Sequence, residues 1–216
     1  MSYTVQQLIS RFRLDMDDLE ETYLWTDTEI RDYLDQAQIE FTENVDVIFG
    51  TEEMDFSAND EWVPVPDYVT RVRGGSIPGH RPDLYLYNYE EWKRNYIGDW
   101  RSNQNAVPNT MITDIEPNQI RVYPIPSTSG TINVDVYRNP KSRVSDGAEL
   151  EVTNNQQQLA ILLMARSIAY RKHDSEAYDV KQADTLENKF YDLTTEFKKR
   201  VARKRRRTVA VMYGGI

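Results

Sequence analysis

Apolar positions near the start of the chain recur every three or four residues. Val5, Leu8, Ile9, Phe12 and Met16 share one helical face. Thr4 and Gln7 have the spacing of a capping box, in which each side chain accepts a hydrogen bond from a free amide at the helix start. A stronger start lies in "WTDTEIRDYLDQAQIEFTENVDVIFG". There Thr26 and Glu29 form the box, and Trp25 and Ile30 occupy the staple positions on either side of it. Ile30, Tyr33, Leu34, Ala37, Phe41, Val45 and Ile48 continue as one stripe, and Gly50 reads as the stop.

Beyond about residue 51 the helical period gives way to short β-branched and aromatic runs, and most of the nine prolines fall between Pro64 and Pro126. "MITDIEPNQIRVYPIP" predicts a hairpin turning at Pro117-Asn118, since proline presets the first central position and Asn tolerates the second. In "STSGTINVDVYRNP", Ile132, Val134 and Val136 alternate with Thr131, Asn133 and Asp135, as in a strand with one buried face. "YNYEEWKRNYIGDW" interrupts the strands, with Tyr89, Trp92 and Tyr96 at helical spacing. Helical period returns at Thr153 to Gln156, which reads as a third capping box. "LAILLMARSIAY" is apolar on nearly every side, as a helix surrounded by others must be. Leu186, Phe190, Leu193, Phe197 and Val201 then mark a heptad-like seam on a long last helix.

The pattern predicts an α+β fold. Residues 1–50 and 151–207 form a helical bundle of about four helices, residues 51–150 form a β-rich insertion between the second and third main helices, and residues 208–216 form an extended basic C-terminal tail.

Charge sharpens the picture of that tail. Lys198, Lys199, Arg200, Arg203, Lys204, Arg205, Arg206 and Arg207 are followed by no carboxylate. Without these eight charges, 18 Lys and Arg face 35 Asp and Glu, so residues 1–197 carry −17 where the whole chain carries −9. Such asymmetry predicts a polyanion or acidic-protein contact for the basic end. A helix dipole favours terminal cations by only about 0.3–1 kcal/mol each, too little to hold so many together against their own repulsion. Val209, Val211 and Tyr213 alternate with smaller neighbours, as in a segment that adds a strand to a partner.

The chain lacks cysteine, which excludes disulfides, thiolate metal sites and a cysteine nucleophile. It has no signal-like apolar run and no stretch near the roughly 20 apolar residues of a membrane span, which predicts a soluble intracellular protein without membrane contact. His80 lies in "RGGSIPGHRP", which reads as a loop, and His173 at a helix junction; neither suits a catalytic base. "DMDDLEE" and "TDTE" lack calcium-loop spacing and read as solvated helix ends. No catalytic residue, metal site or cofactor is expected.

"WTDTEIRDYLDQAQIEF", "YEEWKRNYIGDWR", "NAVPNTMI", "IRVYPIPSTSGTINVDVYRNP" and the final helix pair with its basic extension occur in an order that resembles the head-to-tail adaptor (connector) proteins of tailed bacteriophages. The resemblance spans most of the chain. It implies a structural virion protein without enzymatic activity, assembled in the host cytoplasm into a homo-oligomeric ring, a dodecamer. That ring sits at the virion neck between the portal and a tail or nozzle protein, and DNA passes through its channel without specific binding. Within this reading, Arg203, Lys204, Arg205, Arg206, Arg207, Val209, Val211 and Tyr213 are expected to bind the portal or a neighbouring subunit. Trp92, Tyr96 and Trp100 are candidates for the subunit interface, with a small local core as the other reading of these aromatics. The competing function is a DNA-binding accessory protein that grips phosphates with its basic tail.

Overall fold

In a computed structural model, residues 2–96, 103–105, 107–145, 147, 149–172 and 177–205 are described. In chain order they form helices α1 (Val5–Asp15) and α2 (Asp27–Asn44), then strands β1 (Phe49–Phe56), β2 (Trp62–Pro64), β3 (Val69–Ser76) and β4 (Tyr85–Asn88). Helix α3 (Tyr89–Asn95) precedes β5 (Gln104–Asn105), β6 (Thr110–Thr113), β7 (Gln119–Tyr123), β8 (Ile125–Pro126) and β9 (Gly130–Arg138), and the long helices α4 (Asn155–Tyr170) and α5 (Val180–Arg205) follow. The fold is α+β, with five helices among the described residues and both parallel and antiparallel strand pairs. Two compact units are present, Met1–Val47 with Pro140–Ile216, and Ile48–Asn139.

In the helical unit two of the three predicted capping boxes form. Thr4 Oγ1 accepts from Gln7 N while Gln7 Oε1 accepts from Thr4 N, and Thr26 and Glu29 repeat the exchange. Helix α4 packs on α1, α2 and α5, and no residue from Gln157 to Tyr170 is exposed, as its all-round apolar sequence predicts. Phe41 is fully buried, with rings of Phe190 and Phe197 at 6.3 and 5.8 Å, and Leu162 is 2% exposed. The seam of α5 is Ala183, Leu186, Phe190, Thr194 and Phe197; Leu193 is only half-buried. Polar groups in this core are satisfied across elements. Gln158 accepts from Tyr3 N and donates to Tyr3 O, Ser167 Oγ donates to Ala183 O, and Gln38 Oε1 accepts from Val152 N.

These contacts also fix directions. Tyr3 beside Gln158 and Asp15 beside Arg166 run α1 along α4. Glu29 beside Lys172, and Arg171 beside Asp184 and Glu187, run α2 and α5 against it. The α1–α2 connection therefore lies at the C-terminal end of α4, and the basic end of α5 lies at its opposite end, where Arg200 donates to Gln156.

In the second unit, β9 is the centre of an antiparallel sheet ordered β1-β9-β3. Ile132, Val134 and Val136 are buried as their alternation predicts. A second sheet, β2-β7-β6-β4, contains the predicted hairpin, with Thr110, Met111 and Ile112 opposite Tyr123, Val122 and Arg121. Asn118 takes φ 55° and Asp114 φ 64°, a backbone state that Asn and Asp tolerate best among side chains with a Cβ.

Three local expectations are corrected. Gly50 does not stop α2; the helix ends at Asn44 with an extended Val45, and Gly50 pairs with Val136 inside β1. The cap of α4 is Asn154, whose Oδ1 accepts from Gln156 N and Gln157 N, rather than Thr153. Arg73 to Ser76 of "RGGSIPG" belong to β3 and not to a loop, because Gly74, Gly75 and Ser76 pair with Asp135, Val134 and Asn133 of β9.

Candidate docking surfaces

Residues on the α1–α2 connection are held by buried charges. Arg13 is 8% exposed, and its guanidinium bonds Asp18 Oδ2 at 2.7 Å and Asp27 Oδ1 at 2.6 Å while lying 3.8 Å from the Tyr23 ring centroid. Asp18, also 8% exposed, accepts from Leu24 N at 2.7 Å. Asp15 bonds Arg166 on α4 at 2.9 Å, and Trp25 is buried edge-on against Phe12. "DMDD" is thus in part structural and not merely a solvated helix end.

This rigid frame presents apolar groups outward. Leu14, Leu19, Tyr23 and Leu24 are 64, 57, 46 and 36% exposed, so four of the ten exposed large apolar side chains among the described residues fall within eleven positions. Between them, Asp17, Glu20 and Glu21 are exposed and make no ion pair among the described residues. A concavity of about 450 Å³ is lined by Asp17, Leu19, Glu20, Leu24 and the floor residue Trp25. Leu14, Leu19 and Leu24 stand off the helical stripe in an otherwise acidic run, which is the one signal of this surface in the sequence.

The capping carboxylate Glu29 closes the same end. Its Oε1 is 2.5 Å from Lys172 Nζ, and the Lys172 bond and the Thr26 amide hold its pKa below the usual 4.5. A folded value below the unfolded one stabilises the protein above pH 4.5, and that contribution is lost as pH falls through the folded value. Glu29→Gln keeps the cap geometry and removes the charge. Its stability deficit in urea unfolding at neutral pH should therefore shrink toward zero in acid; a deficit independent of pH would refute the charge effect.

Of the tail residues, Arg203 is exposed on α5, and Lys204 and Arg205 continue that helix. Arg206, Arg207, Val209, Val211 and Tyr213 lie outside the described residues, as do Trp100 and His173. Trp92 is 5% exposed and stacks on Tyr96 with ring centroids 4.8 Å apart, packed against Tyr87, Tyr123 and Ile112. Tyr123 OH accepts from Asn103 Nδ2 at 2.7 Å and shares a short hydrogen bond with Tyr96 OH. Burial holds the Tyr123 hydroxyl above its usual pKa, with Tyr96 adding to the shift. Trp92→Ala should cost about 3–5 kcal/mol by emptying this local core, read as a lowered denaturation midpoint of the isolated chain. Unchanged stability would assign Trp92 to contacts made only in an assembly.

His80 is exposed on the turn after β3. The open groove of about 660 Å³ between β3 and the β6–β7 turn has Arg71, Asp114 and Glu116 as its charged lining. No helix among the described residues is long and apolar enough to cross a membrane.

An apolar and acidic platform thus stands at one end of the helical unit and a cationic helix end at the other. The family model of the SU10 adaptor protein matches residues 3–212, and the chain belongs to that family. It is a bacteriophage adaptor with a structural role in the virion. Comparison with curated protein sequences gives no significant match.

Proposed function

We propose that the protein is a non-enzymatic head-to-tail adaptor that joins the portal to the tail as a ring, a dodecamer, at the virion neck, after assembly in the host cytoplasm. The family match over nearly the whole chain carries this reading. In it, residues 1–50 and 151–207 are the helical scaffold, residues 51–150 a β-rich insertion and residues 208–216 the extended tail.

Charge supports the same role. A ring of bodies that each carry −17 repels DNA phosphates, which suits a conduit through which DNA slides without specific binding. Arg203, Lys204, Arg205, Arg206, Arg207, Val209, Val211 and Tyr213 are the docking element for the portal or an adjacent subunit, and a tail or nozzle protein meets the far side. Trp92, Tyr96 and Trp100 are the candidate subunit interface, and the burial of Trp92 in the isolated chain favours a local core as that residue's role.

Mass measurement of the purified protein, alone and with the portal, tests the role. Ring-sized complexes with the portal are expected. A protein that formed none and instead shifted duplex DNA, with affinity falling steeply as salt rises, would replace this reading by a DNA-binding one.

A further inference from the structure

We infer that the α1–α2 connection of each protomer is the receptor for the C-terminal segment of a second copy, so that copies join head to tail. The inference rests on the adaptor reading above and specifies which surfaces join neighbours.

Two complementary surfaces stand at opposite ends of one helical unit. The receptor offers Leu19 and Leu24 at a concavity of about 450 Å³ and Leu14 and Tyr23 exposed on the same connection, with the carboxylates Asp17, Glu20 and Glu21, which make no ion pair among the described residues, between them in the chain. The segment "RKRRRTVAVMY" offers the reverse composition, a cationic run and then Val209, Val211 and Tyr213 at alternate positions. Exposed apolar side chains set among acids fit an apolar strand led by arginines better than they fit water. Arg13 and Asp18 hold the platform from beneath, so little ordering accompanies docking on the receptor side.

Reach works against the protomer's own segment. Asp15 lies beside Arg166 and Arg200 beside Gln156, which places them about ten residues of α4 apart, roughly 15 Å. Helix α5 continues away from the α1–α2 connection through Arg205, which adds about 7 Å. Val209 follows Arg205 by four residues, which span at most about 14 Å against a gap of roughly 22 Å, and Val211, six residues on, closes that gap only when fully extended, so Val209 and Val211 cannot both sit on their own receptor. A second copy has no such restriction. A contact between unlike surfaces of identical chains propagates in one direction and closes into a ring when the rotation permits.

Because the chain contains no cysteine, introduced thiols report the contact cleanly. Full-length Leu19→Cys and Val211→Cys proteins are mixed, free at high concentration and bound to the portal, and oxidised. A Leu19→Cys/Val211→Cys double variant is treated in parallel, and Ile39→Cys with Val211→Cys is the control pair. Both Leu19 and Ile39 are exposed, so neither change threatens folding. Cross-linked pairs from the mixture and a ladder of multimers from the double variant are expected, with little product from the control. A portal-bound assembly without the cross-link, or with Val211→Cys linked to the portal instead, would overturn this contact and leave the adaptor role standing. A ladder that fails to bind the portal would keep the contact and reject that role; neither ladder nor portal complex would reject both.

Discussion

Leu162→Asp abolishes the folded helical unit, expected as loss of helical circular dichroism and of cooperative unfolding. Leu162 is 2% exposed on α4, the helix that touches α1, α2 and α5, so no rotation of a single neighbour can bring an aspartate there to water. An uncompensated buried carboxylate costs several kcal/mol, to which the lost apolar burial of leucine is added, against a total stability of about 5–15 kcal/mol for a typical domain. Leu162→Ala sets the scale, since it removes the same methyl groups without burying a charge and should cost about 2–5 kcal/mol while leaving a folded chain. If Leu162→Asp unfolded cooperatively near the wild-type midpoint, the central place of α4 would be wrong.

What could be read from residue order was what depends on near neighbours. Thr4 with Gln7, and Thr26 with Glu29, close their boxes within three residues, and β9 needs only its own alternation to show which face is buried. Gly50 misled because a glycine after an apolar stripe resembles a stop, whereas pairing with a strand more than eighty residues away decided its state. Gly75 misled for the same reason, since it pairs with Val134 of β9, far along the chain. Thr153 and Asn154 can both cap, and the helix takes Asn154, whose Oδ1 accepts from Gln156 N and Gln157 N. The buried Trp92 owes its place to Ile112 and Tyr123, which no local pattern connects to it.

The candidate site follows the same rule. Its cationic half, from Lys198 to Arg207, is plain in a composition count. Its acidic half depends on Arg13 reaching Asp18 and Asp27 at once, which turns a charged connection into a fixed platform with leucines outward. Residue spacing alone contains no term for that geometry.

Deletion of residues 208–216 should leave a folded protomer that joins the portal only transiently, since copies that no longer hold one another bind it singly. The described core ends with Phe197 and the half-buried Val201, so no packing among the described residues is removed, and the denaturation midpoint should stay within error of wild type. Assembly differs, because two effects act in succession. Arg203, Arg205, Arg206 and Arg207 steer the encounter with acidic surface over a range of about 8 Å at physiological salt, and that steering weakens as salt rises. Val209, Val211 and Tyr213 then hold the docked state by apolar burial, which salt hardly touches. The truncated protein should therefore keep a near-normal association rate and dissociate much faster, with ring-sized mass lost at equilibrium. Neutralising the four arginines in the full chain should do the reverse, slowing association chiefly at low ionic strength and changing dissociation little. Surface-binding kinetics on immobilised portal at two salt concentrations separate the two. Complete, long-lived portal complexes formed by the truncated protein would remove the segment from the docking element and leave the arginines as steering groups alone.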